Sequence, residues 1–425
     1  MTASTAGRAG LTTLPARLLH PDPMVRRLTL ITFVNTLGSG LSMTLGVLWF
    51  TRMLGFGAAQ VGLGLTAAGL CGVLAGVPAG RAADRWGAKR VLVALVTVEA
   101  VGTVGYTLVG SYAAFVPLAC LVAVADRGAA AVRNALYAEV LPPDGRVAGR
   151  AYLRSVTNIG IALGACLAAI ALQADTRGAY LAALLTDAGS FVVVAVLFAV
   201  LVPDAARPAG AADAAAGGPN PALRNLPFLA VTALNGVLTL QFAMLEVGVP
   251  LWIVRETEAP RAMVAGSMLV NTALVIALQV RAARGVERPA AAARAFRRGG
   301  LLVAGSCGVL ALAHGVPAAV AALLVVAGVG LQALGEVLGQ AGTWSLSYDL
   351  AGEGAHGAYQ GVFNTGQSAA LMLGPALVTW LVIGQGVLGW AVLAALFAAG
   401  GLAMGPTVRW AEARSAARPE PAVAV

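Results

Sequence analysis

Four ionisable residues stand inside long apolar stretches of this sequence, namely Asp126, Arg127, Glu246 and Glu336. A charge at the centre of a membrane-spanning helix costs about 2.5–3.5 kcal/mol, so its presence there indicates a function. A carboxyl group in a low-dielectric site can take up and release a proton, and it can also bind a cation. We therefore predict that these four residues take up a proton or contact a bound molecule.

The same four residues also allow a structural reading. Asp126 and Arg127 are neighbours whose side chains point about 100° apart on a helix, so we expect a poor direct pair and a separate partner for each. The two could instead clamp the inner half of their helix to a cytoplasmic loop. Glu246 and Glu336 could be solvated residues near a membrane boundary.

The composition is that of a membrane protein. The chain is 59% hydrophobic and only 11% charged, with a mean hydropathy of +0.82, whereas soluble proteins have about 25% charged residues. Since a helix crosses a bilayer with about 20 apolar residues, 425 residues can hold about a dozen spans. The net charge of +9 comes from basic residues between apolar runs. Membrane topology explains these basic residues, so we expect no nucleic-acid partner.

The sequence has no pattern typical of an enzyme. We find no nucleotide-binding Gly-x-x-x-x-Gly-Lys, no Gly-x-Ser-x-Gly and no His/Glu metal spacing. The four cysteines are isolated in apolar runs, which predicts packing residues rather than disulfides or metal ligands. We therefore expect no catalysis, no metal and no cofactor.

Apolar runs divide the chain into twelve predicted spans. A weak repeat, Asn158-x-Gly160 and Asn364-x-Gly366, supports two halves of similar structure. The predicted domains are an N-terminal cytoplasmic tail (1–27), a six-helix bundle (28–202), a cytoplasmic linker (203–225), a second six-helix bundle (226–407) and a C-terminal cytoplasmic tail (408–425). The predicted helices cover about 28–50, 58–79, 91–110, 112–136, 151–173, 178–202, 226–254, 260–280, 299–315, 317–342, 358–384 and 386–407.

A charged segment separates the second and third spans. It reads Gly80-Arg-Ala-Ala-Asp84-Arg85-Trp-Gly87-Ala-Lys89-Arg90 and predicts a tight cytoplasmic loop, because short basic loops stay inside. The order glycine, Asp-Arg, glycine and a basic pair resembles the loop between helices two and three of the major facilitator superfamily. The resemblance extends over nearly the whole chain.

This resemblance implies an all-α membrane protein of twelve transmembrane helices in two pseudo-symmetric six-helix bundles. It implies that Gly80, Asp84, Arg85, Gly87, Lys89 and Arg90 act in gating, and that helices four, seven and ten line a central cavity. Arg127 resembles the arginine of drug/proton antiporters, although Ala130-Ala131 replace the usual Gln-Gly. Helices three and six would be peripheral, so structural hydrogen bonding is expected for Glu99 and Asp187.

Further polar residues fall on the helices that the resemblance assigns to the cavity or the gates. Some of them should be interhelical hydrogen bonds, worth about 0.6 kcal/mol each, rather than substrate contacts. The candidates for the cavity are Asn35, Arg154, Asn158, Gln241, Gln332, Asn364 and Gln367.

By this resemblance the chain is a secondary transporter of the cell membrane that works by alternating access. We predict proton-coupled efflux of a small, partly hydrophobic compound by a monomer in the bilayer, with both termini cytoplasmic. Two alternatives remain open at this stage. One is a metabolite importer or uniporter, and the other is a membrane receptor that transports nothing.

Overall fold

The fold consists of long helices throughout the part of the chain that the structure describes. The structure is a computed structural model, and it describes residues 20–174, 176–204, 220–352 and 355–416. Two short helices, Pro143–Gly145 and Pro221–Arg224, precede longer ones. The long helices are α1 (Pro23–Leu48), α2 (Ala58–Trp86), α3 (Ala88–Leu108), α4 (Tyr112–Val140), α5 (Arg146–Ala174), α6 (Arg177–Leu201), α7 (Leu226–Glu256), α8 (Met263–Ala282), α9 (Pro289–Ala311), α10 (Ala318–Asp349), α11 (His356–Val382) and α12 (Val387–Ala416).

Ten of these helices are long and apolar enough to cross a membrane, all except α1 and α9. A π-helical turn, Trp49–Met53, follows α1, and another, Met244–Gly248, interrupts α7. Most of the predicted tails (1–27 and 408–425) and of the linker (203–225) lies outside the described residues, so those parts of the domain prediction stay predictions.

The helices form two bundles, α1–α6 and α7–α12, with the same internal packing. In the first bundle α1 packs on α5 and α6, α2 on α4, and α3 on α4 and α6. In the second bundle α7 packs on α11 and α12, α8 on α10, and α9 on α10 and α12. Adding six to both helix numbers of a pair in the first bundle gives a pair in the second, so that α1 with α5 corresponds to α7 with α11. The twelve-helix arrangement in two pseudo-symmetric bundles is therefore confirmed.

Individual side chains repeat between the bundles as well. The indole nitrogen of Trp49 donates a hydrogen bond to the carbonyl of Tyr106 at 3.2 Å, and that of Trp252 donates to Leu310 at 2.9 Å. Both acceptors lie in the last turn of a helix, α3 or α9. The carbonyl of Leu310 also accepts a hydrogen bond from the backbone amide of Ala313 at 3.2 Å. The repeat extends from helix order to local hydrogen bonding.

The weak sequence repeat also has a structural counterpart. Gly160 of α5 lies against the hydroxyl of Thr36 on α1, and Gly366 of α11 lies against the methyl of Thr232 on α7. A Cβ at either glycine would overlap the threonine side chain. The glycines thus allow the same close helix approach in each bundle.

The predicted loop at residues 80–90 is wrong. Helix α2 continues to Trp86 and α3 starts at Ala88, so Gly87 alone makes the turn. Its φ of 101° lies in a region that residues with a Cβ seldom adopt. The charged residues are the last and first turns of two helices, because an apolar run marks the part of a helix in lipid and not the end of the helix.

Other boundaries differ for the same reason. The arginine-rich segment 289–298, predicted as a loop, forms the first turns of α9, and α10 continues to Asp349 rather than ending near 342. Three tryptophans near helix ends, Trp49, Trp252 and Trp390, are buried and at most 1% exposed. Trp380 is 61% exposed.

Candidate functional site

A cavity of about 410 Å³ lies between the two bundles. Helices α4 and α5 line it from the first bundle, with Thr32 of α1, and α7, α10 and α11 line it from the second. A volume of this size suits a small organic molecule. The site therefore lies where the two bundles meet.

The wall formed by the first bundle is cationic. Its residues recur at intervals of three or four, which places them on one side of each helix. The four arginines, which we call the cationic wall, are Arg127, Arg133, Arg150 and Arg154. The other lining residues of these two helices are Ala130, Asn134, Tyr137, Leu153 and Thr157.

The wall formed by the second bundle is mostly neutral. It offers amides and hydroxyls, among them Gln241 and Gln367, together with the rings of Phe242, Trp344 and Phe363. Glu246 is the one ionisable residue among its lining residues in the described part of the chain. The cavity therefore has a charged face and a hydrogen-bonding, aromatic face.

Glu336 lies behind this second face in a buried hydrogen-bond network. It is 3% exposed. Its Oε2 accepts hydrogen bonds from Asn271 at 3.2 Å and Gln332 at 3.3 Å, and its Oε1 accepts one from Gln340 at 3.2 Å. Buried carboxylates need such donors, because leaving them unpaired costs the full desolvation energy.

Gln332 and Asn271 complete this network. Asn271 also donates to the amide oxygen of Gln332 at 2.8 Å, and Gln332 donates to Gln241 at 3.4 Å. The chain of amides therefore connects Glu336 to Gln241 on the cavity surface. In this way α7, α8 and α10 are linked by polar contacts inside the second bundle.

Arg154 connects this network to the other bundle. Its Nη2 lies 3.8 Å from Oε1 of Glu336, and its guanidinium lies 5.9 Å from the ring centre of Phe242. Arg154 is also within electrostatic range of Glu246. Glu246 itself makes no hydrogen bond or ion pair with any residue in the described ranges.

An aromatic cage surrounds Arg150 near the start of α5. Its guanidinium lies 5.1 Å from the ring centre of Tyr137 and 5.4 Å from that of Trp344, and it also donates to the side-chain oxygen of Asn134. Arg146, one turn earlier, lies 5.2 Å from the ring of Tyr348. Cation–π contacts of this kind join α5 to α10 across the bundles.

The residues at the turn between α2 and α3 contact the second bundle directly. Oδ1 and Oδ2 of Asp84 accept hydrogen bonds from the backbone amides of Gly357 and Ala358, both at 2.7 Å. These amides belong to the first turn of α11, where N–H groups have no helical acceptor. A carboxylate is favoured there by the helix dipole too.

Two pairs of glycines allow this contact. On α2 they are Gly76 and Gly80, and on α11 they are Gly357 and Gly361, each pair four residues apart. A Cβ at any of the four would overlap atoms of the opposite helix. We call the end of the molecule at Gly87 the loop end. The contacts of Asp84, the four glycines and the aromatic cage around Arg150 close the cavity toward this end.

Other charged residues of this segment contact nearby groups. Lys89 lies 3.6 Å from Asp204, which follows α6 and is 70% exposed. Arg85 lies over the ring of Trp86 at 5.6 Å, and Arg90 is exposed. Exposed ion pairs contribute about 0–1 kcal/mol, so the pair of Lys89 and Asp204 contributes little.

The structure brings together some of the residues predicted for the cavity and separates others. Asp126 is half-buried outside the lining, and its Oδ2 lies 3.2 Å from Nε of Arg127. The expectation of separate partners for this pair is therefore wrong, because a long arginine side chain can fold back onto its neighbour. The predicted residues that line the cavity are Arg127, Arg154, Gln241, Glu246, Asn364 and Gln367.

Four other predicted residues do not line the cavity. Glu336 and Gln332 lie one layer behind the surface. Asn35 and Asn158 are half-buried on α1 and α5 and lie outside the lining. Asn364 lines the cavity and also donates a hydrogen bond to the carbonyl of Arg127 at 3.0 Å, which joins α11 to α4.

Sequence reasoning missed Arg133, Asn134, Tyr137, Arg150 and Trp344. A signal was present for the first four, since they continue the helical spacing of Arg127 and Arg154 toward the loop end. They were overlooked because they fall near predicted loops, where basic and polar residues are expected. Trp344 had no such signal, because the predicted helix ended before it.

Two more buried carboxyl groups lie in the first bundle away from the cavity lining. Glu99 is 2% exposed and Asp187 is 3% exposed. Asp187 lies close to the side chain of Ser42, and Glu99 lies within electrostatic range of Arg133 and Asp126. The role predicted for both, structural hydrogen bonding, stays a prediction.

The geometry defines a helical membrane protein with a polar cavity between two matching bundles. The sequence profile of the Major Facilitator Superfamily matches residues 28–375, and the chain belongs to this family of secondary transporters. A search of curated proteins finds no match. Membership of this family identifies the chain as a transporter. It does not determine the substrate, the coupling or the direction of transport.

Solved structures agree with the fold. The human organic anion transporter MFSD10 (TETRAN) is 16% identical with a TM-score of 0.70, and the match covers 90% of this chain and 100% of that one. A bacterial homologue of the iron transporter ferroportin, in an outward-facing state, is 12% identical with a TM-score of 0.73, covering 92% and 100%. The proton:xylose symporter XylE is 14% identical with a TM-score of 0.65, covering 92% and 97%.

Proposed function

We propose that this transporter works by alternating access and exports a small, partly hydrophobic compound in exchange for protons across the cell membrane. The observation that carries the proposal is the ion pair between Arg154 and Glu336, because it joins the two bundles at the cavity. The structural neighbours do not indicate one substrate, since their names include an organic anion, iron and xylose. The residues that line the cavity are the better guide to the substrate.

Proton uptake by Glu336 would release the two bundles from each other at this point. An ionised Glu336 attracts Arg154 in a site of low dielectric, whereas a protonated one does not. The side chains of Asn271, Gln332 and Gln340 donate hydrogen bonds to the two carboxyl oxygens, an arrangement that suits the ionised form. Proton uptake would therefore weaken the attraction to Arg154 and also turn one carboxyl oxygen into a donor.

Asp84 supplies the second contact that alternating access must break. Its two hydrogen bonds hold the start of α11 against α2, so the bundles cannot separate at the loop end while both exist. The close glycine contact of the two helices makes this closed state compact. In this mechanism Asp84 maintains closure, and Glu336 with Arg154 senses the proton.

The test uses purified protein in liposomes with an imposed pH gradient and a pH-sensitive dye inside. A panel of small aromatic amphiphiles of positive, neutral and negative charge is added in turn. We expect compound-dependent proton flux in the wild type and in Glu258→Gln, an exposed control. We expect its loss in Glu336→Gln, which keeps the shape but cannot ionise.

Other outcomes would change the proposal. Solute equilibration without proton flux would replace exchange by uniport. Proton flux in the same direction as the solute would replace exchange by symport. In cells that express the protein, depletion of the compound supports export, and accumulation supports import. An absence of both flux and equilibration would favour a receptor.

A further inference from the structure

We infer that the cavity takes an elongated zwitterion, an aromatic compound with a cationic group at one end and an anionic group at the other. This inference rests on the proposed function, because it names the substrate class of the same site. The observation behind it is that two opposite charges line the cavity without partners. Glu246 lies on the second bundle and Arg133 on the first.

Neither of these charges has a counter-ion at contact distance in the described part of the chain. Glu246 is exposed to the cavity, and Arg154, the cation within its electrostatic range, is instead 3.8 Å from Glu336. Arg133 has a buried Nε with no hydrogen-bond acceptor. Glu99 lies within electrostatic range of Arg133 but is buried in the first bundle.

The other arginines of the cationic wall are already engaged. Arg150 is held by the aromatic cage and Arg154 by Glu336. Arg127 uses its Nε for Asp126, which leaves its terminal nitrogens available to a ligand. Guanidinium groups stay protonated in proteins, so an anionic ligand group gains charge-assisted hydrogen bonds at Arg133 and Arg127.

The two unpartnered charges lie at different depths, which sets the length of the ligand. The start of α7 is at the loop end, since Asn225 there donates to Tyr359 near the start of α11. Glu246 lies well along α7, about 30 Å from the start of that helix, and Arg133 lies about 10 Å from the end of α4 at 1.5 Å per residue. Glu246 therefore lies farther from the loop end than Arg133 does.

The lining between these charges suits an aromatic body. Phe242 and Phe363 face the cavity from α7 and α11, and Trp344 lies toward the loop end. A biphenyl body carries groups at its two ends, one for each of the two charges.

The test compares three ligands with the same body. They are 4′-(aminomethyl)biphenyl-4-carboxylate, 4′-methylbiphenyl-4-carboxylate and (4′-methylbiphenyl-4-yl)methylammonium. Binding to the purified full chain is measured by calorimetry at neutral pH. We expect the zwitterion to bind at least tenfold more tightly than either singly charged compound.

Variants assign each charge to a residue. Glu246→Gln should reduce the affinity for the zwitterion to that for the carboxylate compound, and Arg133→Gln should reduce it to that for the ammonium compound. Arg133→Lys keeps the charge and should recover most of the affinity. Arg261→Gln and Glu258→Gln, both exposed and outside the lining, are the matched controls. Thermal unfolding of each variant shows whether it is folded.

Three results would overturn the inference. They are equal affinity for the zwitterion and one singly charged compound, a preference that persists in both cavity variants, and binding of none of the three compounds by folded protein. The readout is binding, so it is separate from the proton-flux test. A zwitterion preference without proton flux would overturn the proposed exchange and leave this inference standing.

Discussion

The Nη2 atom of Arg154 lies 3.8 Å from Oε1 of Glu336, and this ion pair links α5 of the first bundle to α10 of the second. The two partners differ in exposure. The side chain of Glu336 is 3% exposed, and that of Arg154 is 33% exposed. Separating the bundles would leave Glu336 in a buried network of amides without a cation, so movement at this point depends on the charge of Glu336.

The first prediction is that Arg154 and Glu336 are energetically coupled. Arg154→Gln leaves a buried carboxylate without its cation, so it should lower thermal stability more than Arg154→Gln does in a Glu336→Gln background. Because Arg154 is a third exposed and solvent screens it, we expect an interaction energy of about 1 kcal/mol. The measurement is a double-mutant cycle on the unfolding of the four proteins in one detergent. Additive effects of the two substitutions would show that the pair contributes nothing.

The second prediction concerns the contact of Asp84 with α11. Asp84→Asn replaces a carboxylate that accepts from two amides by a group with one acceptor oxygen, so one hydrogen bond at Gly357 or Ala358 is lost. Each charge-assisted bond is worth about 1.5–3 kcal/mol, which corresponds to a tenfold or larger shift toward the open loop end. Hydrogen–deuterium exchange of peptides that cover the start of α11 should become at least tenfold faster.

The matched control for this experiment is Asp144→Asn. Asp144 is exposed in the short helix Pro143–Gly145, so its substitution should leave exchange in α11 unchanged. Transport by Asp84→Asn should be slower while the amount of folded protein in the membrane is unchanged. Wild-type exchange rates in α11 together with normal transport would argue against a role of Asp84 in closure.

The third prediction separates the glycine contact from the carboxylate contact. Gly80→Ala places a methyl group into the backbone of α11 at Gly357, so α2 and α11 must move apart although Asp84 is intact. We expect faster exchange at the start of α11 and slower transport, as for Asp84→Asn. Gly62→Ala is the control, because nothing lies within 4 Å of a Cβ at that position on the same helix.

Gly62→Ala should leave transport unchanged and raise stability slightly, since alanine is favoured over glycine in helices by about 1 kcal/mol. If Gly80→Ala behaves like Gly62→Ala, the close approach of the two helices has no part in gating. If it behaves like Asp84→Asn, both contacts act on the same closed state.

Apolar run length and basic segments predicted the twelve helices, and the resemblance together with the weak repeat predicted the two bundles. The charges within the apolar runs led to Arg127 and Glu246, and the resemblance led to Arg154. All three residues line the cavity. Helix ends were predicted poorly, because α2 and α9 extend past the apolar run into charged turns. Hydropathy reports contact with lipid, and a helix can continue beyond the lipid.

The partners of these residues could not be predicted from the sequence. Glu336 is bonded by residues of α8 and α10 and paired with one of α5, so its setting depends on how three helices face each other. The aromatic cage of Arg150 likewise joins residues from α4, α5 and α10. Distances of this kind arise from tertiary packing, which no local pattern records.

The last prediction concerns the repeated tryptophan hydrogen bonds. Trp49→Phe and Trp252→Phe each remove a donor to a carbonyl at the end of a helix, Tyr106 on α3 or Leu310 on α9. Both indoles are about 1% exposed, so water cannot replace the lost donor easily. Each substitution should cost about 1–3 kcal/mol, because a buried carbonyl loses a partner.

Thermal unfolding in detergent is the measurement, and Trp380→Phe is the control. Trp380 is 61% exposed on the surface of α11, so its substitution should change the unfolding temperature little. A smaller loss is expected for Trp252→Phe than for Trp49→Phe, because the carbonyl of Leu310 keeps its hydrogen bond from Ala313. Equal losses would mean that this second hydrogen bond does not compensate. An effect of Trp380→Phe as large as the others would assign the loss to ring size instead of to the hydrogen bond.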